Sequence, residues 1–237
     1  MAVRLLTFDL DHTLWDPTDA LIAAERGMFD WIKTHSPVTA DFYPPEKFHA
    51  YKKDLAAAYP DMTGRVSEFR YELLRRIFLQ SGHSSEQARS MAKAAFDAFY
   101  QARSTGLELF PNVADVMTEL RKQYQVIAIT NGNADLSIAG HSHLFDHHLK
   151  ADDYDAKPAP DMFHAALEIA GVSAEQALHV GDHPEQDVAA AQELGIKGIW
   201  FNDKKVDWPL SDVTPNAEFS HWSQLVPTIS ALADTSS

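Results

Sequence analysis

One stretch near the start of the chain, residues 3–13 with the sequence VRLLTFDLDHT, constrains the fold most. Its first six residues are mostly apolar and partly β-branched, which is typical of a buried strand in a parallel sheet. Because side chains alternate along a strand, Asp9 and Asp11 are expected to face the same way where it ends. Two carboxylates there are costly to bury unless a cation neutralises them, and Mg²⁺ binds such oxygen ligands. We hypothesise that Asp9 is a nucleophile, Asp11 a proton-transfer partner, and that Mg²⁺ binds beside them.

Strand-like and helix-like patterns alternate in the second half of the chain. Buried strands are predicted at 125–130, 177–180 and 196–201, a short strand is predicted within 145–151, and helical patterns lie between them. This alternation predicts an α/β fold with a doubly wound parallel, Rossmann-like sheet. Ligands of such sheets bind beyond the carboxyl ends of the strands, so the residues that follow each strand are the candidate site.

The segment from residue 18 to residue 105 has no strand pattern. Four helices are predicted there, at about 20–35, 45–59, 63–82 and 84–106. Pro37 is expected to end the first of them. We therefore predict a helical cap domain over residues 18–105, inserted into an α/β domain made of residues 1–17 and 106–237.

Charge and composition exclude several classes of protein. The formal net charge of −14 disfavours a general nucleic-acid binder, which should be basic. The chain has no cysteine, so disulfides, thiolate metal sites and a cysteine nucleophile are excluded. No apolar run approaches the roughly 20 residues of a membrane helix. The first predicted strand begins at Val3, which leaves no room for a signal peptide, so we expect a cytoplasmic protein.

Four short motifs resemble those of the haloacid dehalogenase-like (HAD) hydrolase superfamily. They occur in the family's order, each at a predicted strand end or loop: Asp9-Leu10-Asp11-His12-Thr13, Thr130-Asn131, Lys157-Pro158, and Gly181-Asp182 with Asp187. The resemblance covers the whole predicted α/β part. The inserted helices are similar to the small helical cap of one subclass.

The resemblance implies chemical roles for the first and fourth motifs. Asp9 would attack phosphorus and form an aspartyl-phosphate. Asp11 would protonate the leaving oxygen and then activate the water that hydrolyses the intermediate. Mg²⁺ would be held by Asp9, by the backbone carbonyl of Asp11 and by Asp182. The implied activity is Mg²⁺-dependent hydrolysis of small soluble phosphomonoesters.

The remaining motif residues are implied to surround the phosphoryl group. Thr130, Asn131 and Gly132 would bind it, and Lys157 would offset its charge. Asp187 would orient Lys157 or the waters of the metal, although a carboxylate near the start of a helix can also simply favour that helix end.

Asp11 separates two activities within the family. The haloacid dehalogenases lack an acid at this position, because halide leaves without a proton, whereas the alkoxide of a phosphate ester needs one. Asp11 therefore favours a phosphatase. His12 replaces the commoner Gly or Asp and is expected to point away from the pocket.

A bacterial subgroup that includes a flavin-pathway phosphatase resembles this chain most. The resemblance rests on residues 8–11, 129–134 and 179–182. Members of the subgroup dephosphorylate 5-amino-6-(5-phosphoribitylamino)uracil and other small phosphates, so this compound is the expected candidate substrate.

Two other functions fit the same residues. A sugar phosphomutase or phosphotransferase would pass the phosphoryl group to a hydroxyl instead of water, and analysis of the products separates it from a hydrolase. A non-catalytic binding protein could share the scaffold, since a fold does not fix a function.

Two interpretations are possible for each of several other residues. The His- and Asp-rich segment 141–155 can bind Zn²⁺ or form a solvated surface, and its lack of helical spacing favours the surface. Arg70 and Arg103 can reach substrate or lie on a solvated or ion-paired helix face, the commoner case. Trp15 can line the pocket or seal the hinge of the cap.

Overall fold

The structure is a computed structural model that describes residues 2–234. The described residues form two compact units. The first comprises the chain up to Asp16, Glu108–Gly132 and the residues from Gly140 onward, and the second comprises Pro17–Leu107 and Asn133–Ala139. Asn133–Ala139 was expected in the α/β part and lies instead in the helical unit. Met1 and residues 235–237 of the predicted α/β domain lie outside the described residues, and the roles of core and cap stay predictions.

The first unit is built on a parallel sheet of six strands within the described part of the chain. The strands are β1 (Leu5–Phe8), β2 (Gln125–Thr130), β3 (His147–Lys150), β4 (Ala177–Gly181), β5 (Lys197–Phe201) and β6 (Ala217–Phe219). They lie in the order β3-β2-β1-β4-β5-β6, and every paired neighbour is parallel. This order is that of a doubly wound sheet, whose direction of winding switches between β1 and β4. The predicted α/β, Rossmann-like fold is confirmed.

Strand β1 is the centre of the sheet because it pairs with β2 on one side and with β4 on the other. Leu5, Leu6 and Phe8 are fully buried, as expected for a strand covered on both faces. The backbone N–H of Asp9 still donates to the Val180 carbonyl at 2.9 Å. The first candidate carboxylate is therefore fixed by the sheet itself.

Helices of the first unit pack against this sheet. They are α6 (Val113–Leu120), α7 (Asp161–Ala170), a π-helical turn (Pro184–Ala189) that continues into α8 (Ala190–Glu193), and α9 (Leu225–Asp234). Short 3₁₀ turns occur at Ser142–Leu144, Ala174–Gln176 and Trp222–Gln224. Phe163 of α7 packs in one buried cluster with Leu5 and Ile127 of the sheet. Residues 136–140 form turns and no helix.

The second unit is helical throughout its regular structure. Its helices are α1 (Thr18–His35), α2 (Pro37–Phe42), α3 (Pro45–Ala58), α4 (Val66–Gln80) and α5 (Ser85–Ser104), with a 3₁₀ turn at Pro60–Met62. They enclose their own apolar cluster, which includes Met28, Leu74, Phe78 and Phe99. Among the described residues, no helix is both long enough and apolar enough to cross a bilayer.

Pro37 begins a helix and does not merely end one. The backbone N–H of Ser36 closes α1 on the Ile32 carbonyl at 2.7 Å, and Pro37 then occupies the first turn of α2. Proline is tolerated there because the first N–H groups of a helix have no helical acceptor. The expectation of a simple stop at Pro37 was therefore incomplete.

Candidate active site

The carboxyl ends of β1, β2 and β4 place their following residues around one cavity. The cavity has a volume of about 280 Å³. It is lined by Asp9, Asp11, His12, Thr130, Asn131, Gly132, Asp182, His183, Gln186 and Asp187. Residues separated by more than 170 positions in the chain thus meet at one edge of the sheet, as the parallel topology predicts.

Lys157 lies beneath this cavity and is only 3% exposed. Its ammonium donates to Asp9 Oδ1 at 2.7 Å, to Asp187 Oδ1 at 2.5 Å and to the Ile129 carbonyl at 3.0 Å. Burial alone would lower the pKa of Lys157, but the charges of Asp187 and Asp9 raise it above its usual value. The side chain is therefore a charged clamp that holds one oxygen of Asp9.

Asp187 is the most fully compensated carboxylate of the site. Besides Lys157, its Oδ1 faces His179 Nε2 at 3.2 Å, and its Oδ2 accepts from the backbone N–H of His183 at 2.9 Å. Burial alone would raise the pKa of Asp187, but Lys157 and His179 hold it below its usual range. A Cβ at Gly181 would lie 2.3 Å from the Asp187 carboxyl carbon, so this carboxylate needs glycine at that position.

Asp9 and Asp182 carry charge that the protein compensates only in part. Burial raises the pKa of Asp9 well above its usual value, and Lys157 opposes this effect. Burial and the charge of Asp187 raise the pKa of Asp182 to about 6. The Thr13 hydroxyl lies 3.4 Å from Asp9 Oδ2 and 3.3 Å from Asp182 Oδ1, and its single hydrogen can serve only one of them.

This crowding of carboxylates fits a divalent cation. Within the described residues, the group with metal-ligand geometry is Asp9, Asp182 and Asp187, whose ligand oxygens lie within 4.8 Å of one another. Both oxygens of Asp187 accept hydrogen bonds, from Lys157 and from the His183 N–H, whereas Lys157 binds only one oxygen of Asp9, so Asp9 and Asp182 are the better ligands. Their all-oxygen donor set suits a hard cation such as Mg²⁺.

Asp11 is held at the cavity by a buried tryptophan. The Trp15 indole N–H donates to Asp11 Oδ1 at 2.8 Å, and Trp15 is fully buried. The Trp15 ring stacks on His141 with 5.8 Å between the ring centroids. A Cβ at Gly132 would lie 2.6 Å from Asp11 Oδ2. Trp15 does not line the cavity; it orients the carboxylate that does.

Thr130, Asn131 and Gly132 follow β2 and all line the cavity. Thr130 Oγ1 accepts from the Gly132 N–H at 2.9 Å, which leaves the hydroxyl hydrogen to donate. The Asn131 side chain pairs with the backbone of Lys157: its Oδ1 accepts from the Lys157 N–H at 2.7 Å and its Nδ2 donates to the Lys157 carbonyl at 2.8 Å. The Asn131 amide thus fixes the Lys157 loop, and its predicted contact with substrate stays a prediction.

The expectation that His12 points away from the pocket was wrong. His12 lines the cavity, and its φ of 61° lies in the left-handed region. The chain turns there instead of continuing the alternation of the strand. Glycine adopts this conformation most readily, and among other residues asparagine, aspartate and histidine adopt it most often.

Several positioning residues of the site were not predicted from the sequence. Trp200 Nε1 donates to the Asp182 carbonyl at 2.8 Å, and Trp222 Nε1 donates to the Thr13 carbonyl at 3.0 Å. His179 is fully buried in β4, with Nδ1 2.8 Å from the Thr7 hydroxyl, and burial lowers its pKa. A histidine inside an apolar strand was the one available signal. The indole contacts join distant segments and leave no local pattern.

The remaining candidates lie outside this cavity. In the segment 141–155, Asp146 accepts from the Val126 N–H at 2.8 Å and from Arg121 Nη2 at 2.6 Å. Arg103 is buried in the helical unit, at 1% exposed, and is not on a solvated face. Arg70 belongs to the same unit and lies with its guanidinium carbon 3.6 Å from the Phe99 ring centroid.

The chain matches one family model and is similar to two phosphatases of known activity. A family model described as haloacid dehalogenase-like hydrolase matches residues 3–195. The 5-amino-6-(5-phospho-D-ribitylamino)uracil phosphatase of Escherichia coli is 29% identical over 96% of both chains. A phosphoserine phosphatase of Thermus thermophilus is also 29% identical, over 84% of this chain and 89% of its own.

A similar protein of known structure is named for a different activity, dehalogenation. The crystal structure of a 2-haloacid dehalogenase from Pseudomonas syringae is 36% identical to this chain, covers 97% of it and 98% of its own chain, and superposes with a TM-score of 0.89. All these similarities indicate the same family. Whether the chain is a phosphatase or a dehalogenase must be decided from the residues of the cavity.

Proposed function

Because the chain belongs to the haloacid dehalogenase-like hydrolase family, as its four motifs predicted, we propose that it is a Mg²⁺-dependent phosphomonoester hydrolase. The observation that carries this proposal is the pair Asp9 and Asp11 at one cavity. Lys157 clamps the first carboxylate and Trp15 orients the second. A small soluble phosphate is the expected substrate, because the cavity is small and every residue that lines it except Gly132 has a polar or charged side chain.

Asp9 is the proposed nucleophile. Lys157 binds its Oδ1, so the other oxygen, Oδ2, is the one proposed to attack phosphorus. A bond forms between this oxygen and phosphorus while the bond from phosphorus to the ester oxygen breaks. The resulting aspartyl-phosphate divides one difficult displacement into two easier ones.

Asp11 is the proposed general acid and base. It donates a proton to the departing alkoxide in the first step. In the second step it takes a proton from water, whose oxygen attacks phosphorus, and the bond to Asp9 breaks to release inorganic phosphate. The hydrogen bond from Trp15 fixes the Asp11 carboxyl in place for both transfers.

The cation would be held by Asp9, the backbone carbonyl of Asp11 and Asp182. When bound, it offsets the negative charge of the phosphoryl oxygens and of the nearby carboxylates. Thr130 contributes its hydroxyl hydrogen to the phosphoryl group, with Asn131 and Gly132 beside it. Lys157 supplies the remaining fixed positive charge, because phosphoryl transfer depends mainly on positioning and charge stabilisation.

A second candidate function is hydrolytic dehalogenation, which the 36% identical structure favours. Asp9 would then attack a carbon atom and displace halide. Halide needs no proton, so that reaction gives no role to Asp11 at the cavity or to the Trp15 bond that orients it. The hydrolysis of a phosphate ester uses both.

The variant Asp11→Asn separates these two functions. For a phosphatase we expect kcat to fall by about 10²–10⁴-fold with an alkyl phosphate, because general acid catalysis is lost. For a dehalogenase, chloride release from 2-chloropropionate would survive the change. Phosphate and chloride release from both substrates are measured on the same preparations of wild type and variant. Phosphate release that survives in Asp11→Asn would remove the proposed acid from the mechanism.

We propose 5-amino-6-(5-phospho-D-ribitylamino)uracil as a substrate. Support comes from the relative in Escherichia coli, which aligns over nearly the whole of both chains. Comparing kcat/KM for this compound, phosphoserine and simple sugar phosphates tests the proposal. A much higher value for another phosphate would replace it. Transfer of phosphate to a second sugar would instead indicate a phosphotransferase, and a folded, metal-loaded protein without turnover would indicate a binding protein.

A further inference from the structure

A second cavity lies within the helical unit and differs in charge from the first. It has a volume of about 240 Å³. Three residues give it a polar lining: Lys52 of α3, Arg70 of α4, and Thr63, which lies between these two helices. Apolar side chains such as Val66 and Leu73 complete the wall. No acidic side chain lines it, so two cations face the cavity without a lining counter-charge.

Arg70 is the unusual group of this cavity. Its guanidinium lies on the face of Phe99, with 3.6 Å from its carbon to the ring centroid. Its Nη1 is buried and has no hydrogen-bond partner in the part of the chain that the structure describes. A guanidinium stays charged in proteins, and a buried donor without an acceptor is costly. Among the described residues, Nη1 of Arg70 therefore lacks an acceptor.

Glu25, whose negative charge acts on Arg70, compensates the guanidinium only in part. Glu25 lies 3.6 Å from His49 Nε2, and no ion pair joins it to Arg70 or Lys52 among residues 2–234. Burial lowers the pKa of Arg70 to about 10, against the charge of Glu25. Burial and the charge of Arg70 also lower the pKa of Lys52. At both Arg70 and Lys52, the charge of Glu25 opposes the effect of burial without overcoming it.

We propose that this cavity binds a small organic carboxylate, whose acid group pairs with Arg70 and Lys52 while its apolar body contacts Val66 and Leu73. A carboxylate matches the planar donors of a guanidinium, and Lys52 and Thr63 add further donors. The cavity is smaller than those of drug-sized ligands, so the ligand is of the size of a single ring. The proposal does not depend on the phosphatase activity.

Calorimetric titration of the full chain with benzoate tests the proposal. Benzamide, which has the same shape without the charge, serves as the ligand control. We expect saturable binding of one benzoate per chain and at least about tenfold weaker binding of benzamide, since charged hydrogen bonds are lost. Equal binding of both ligands, or no saturable binding of benzoate, would overturn the proposal.

Variants locate the binding site. Arg70→Met keeps the length of the side chain over Phe99 and removes its charge, and it should weaken benzoate binding by about tenfold or more. Lys52→Met, at a half-buried position, should weaken it severalfold and keeps the test decisive if Arg70→Met does not fold. Lys53→Met is the matched control, because Lys53 is the adjacent, exposed lysine of α3. Unchanged affinity in Lys52→Met, or equal loss in Lys53→Met, would contradict this site.

Discussion

Of the four carboxylates that line the candidate catalytic cavity, Asp9, Asp182 and Asp187 differ in how fully their charge is compensated. Asp187 has Lys157, His179 and a backbone amide as partners, and its pKa is held low. Asp9 shares the same lysine, but its pKa is raised by burial, and so is that of Asp182. Lys157 thus contacts both Asp9 and Asp187, but only at Asp187 do the nearby donors outweigh the effect of burial, which is why the proposed function assigns a cation to Asp9 and Asp182.

Trp15→Phe tests whether the indole N–H positions Asp11. The substitution keeps an aromatic ring and removes the donor 2.8 Å from Asp11 Oδ1. We expect kcat to fall about tenfold with KM unchanged, because the acid is no longer held in line with the leaving group. Steady-state kinetics with an alkyl phosphate measure both parameters.

Two comparisons separate this role from a merely structural one. Trp208→Phe removes an indole hydrogen bond to the Val213 carbonyl in the same unit and should leave kcat unchanged. In an Asp11→Asn background, Trp15→Phe should have no further effect on kcat. A full tenfold loss in that background would mean that Trp15 acts through something other than Asp11.

Lys157→Met tests the clamp beneath the cavity. The variant leaves Asp9 and Asp187 buried without their shared cation. We expect the free energy of unfolding at neutral pH to fall by about 3–5 kcal/mol, the usual cost of removing one partner of a buried pair. Denaturant unfolding followed by circular dichroism measures it, and Lys204→Met at an exposed position is the control. A loss below about 1 kcal/mol would show that the carboxylates are compensated in another way.

At the scale of secondary-structure elements, most strands and helices were predicted from the local hydrophobic pattern and from the residues that cap helix ends. Strand β2 was predicted with the bounds that the structure shows, Gln125–Thr130. Helix α5 was predicted to start at Ser84, which is the N-cap of the helix: its hydroxyl accepts from the Gln87 N–H at 3.2 Å, and Gln87 Oε1 accepts from the Ser84 N–H. Such caps are local, so a single sequence reveals them.

The elements that were missed depend on distant partners. Strand β6, Ala217–Phe219, has three residues and exists because it pairs with β5. Nothing in the sequence of residues 184–189 marks the wider turn of the π-helix that they form. In the site, the motif residues were predicted correctly as neighbours of one sheet edge. The contacts of Trp15, Trp200 and Trp222 required the folded chain.

Glu72→Gln tests an element-scale interaction in α4. The Glu72 carboxylate accepts from Arg75 and from Arg76, each at 2.7 Å, and these bonds lower its pKa from the ordinary 4.5 despite partial burial. A lowered folded-state pKa contributes stability above pH 4.5 that is lost as the pH falls through the folded-state value. We expect the variant to be less stable by about 0.5–1 kcal/mol at pH 7.

The pH dependence is the decisive part of this test. The stability difference between wild type and Glu72→Gln should shrink as the pH is lowered below 4.5, because the wild-type carboxyl becomes neutral as well. Urea unfolding at a series of pH values measures the difference. A difference that stays constant across the series would attribute the loss to packing and not to charge.

At the scale of the whole molecule, the fold and the similarity to known proteins fit two reactions, phosphate-ester hydrolysis and dehalogenation. A phosphatase at 29% identity and a structure named as a dehalogenase at 36% both align over nearly the entire chain. Because one fold supports several reactions, the decision belongs to the residues of the cavity. The acid at position 11, its tryptophan donor and the glycine that makes room for it all point to a leaving group that needs a proton.

The most direct test measures phosphate release from an aryl phosphate and chloride release from 2-chloropropionate, with and without Mg²⁺. Wild type, Asp9→Asn and the exposed control Asp155→Asn are compared. We predict Mg²⁺-dependent phosphate release in wild type and control, a loss of at least about 10³-fold in Asp9→Asn, and no chloride release. Chloride release without phosphate release, or phosphate release that survives Asp9→Asn, would contradict the account.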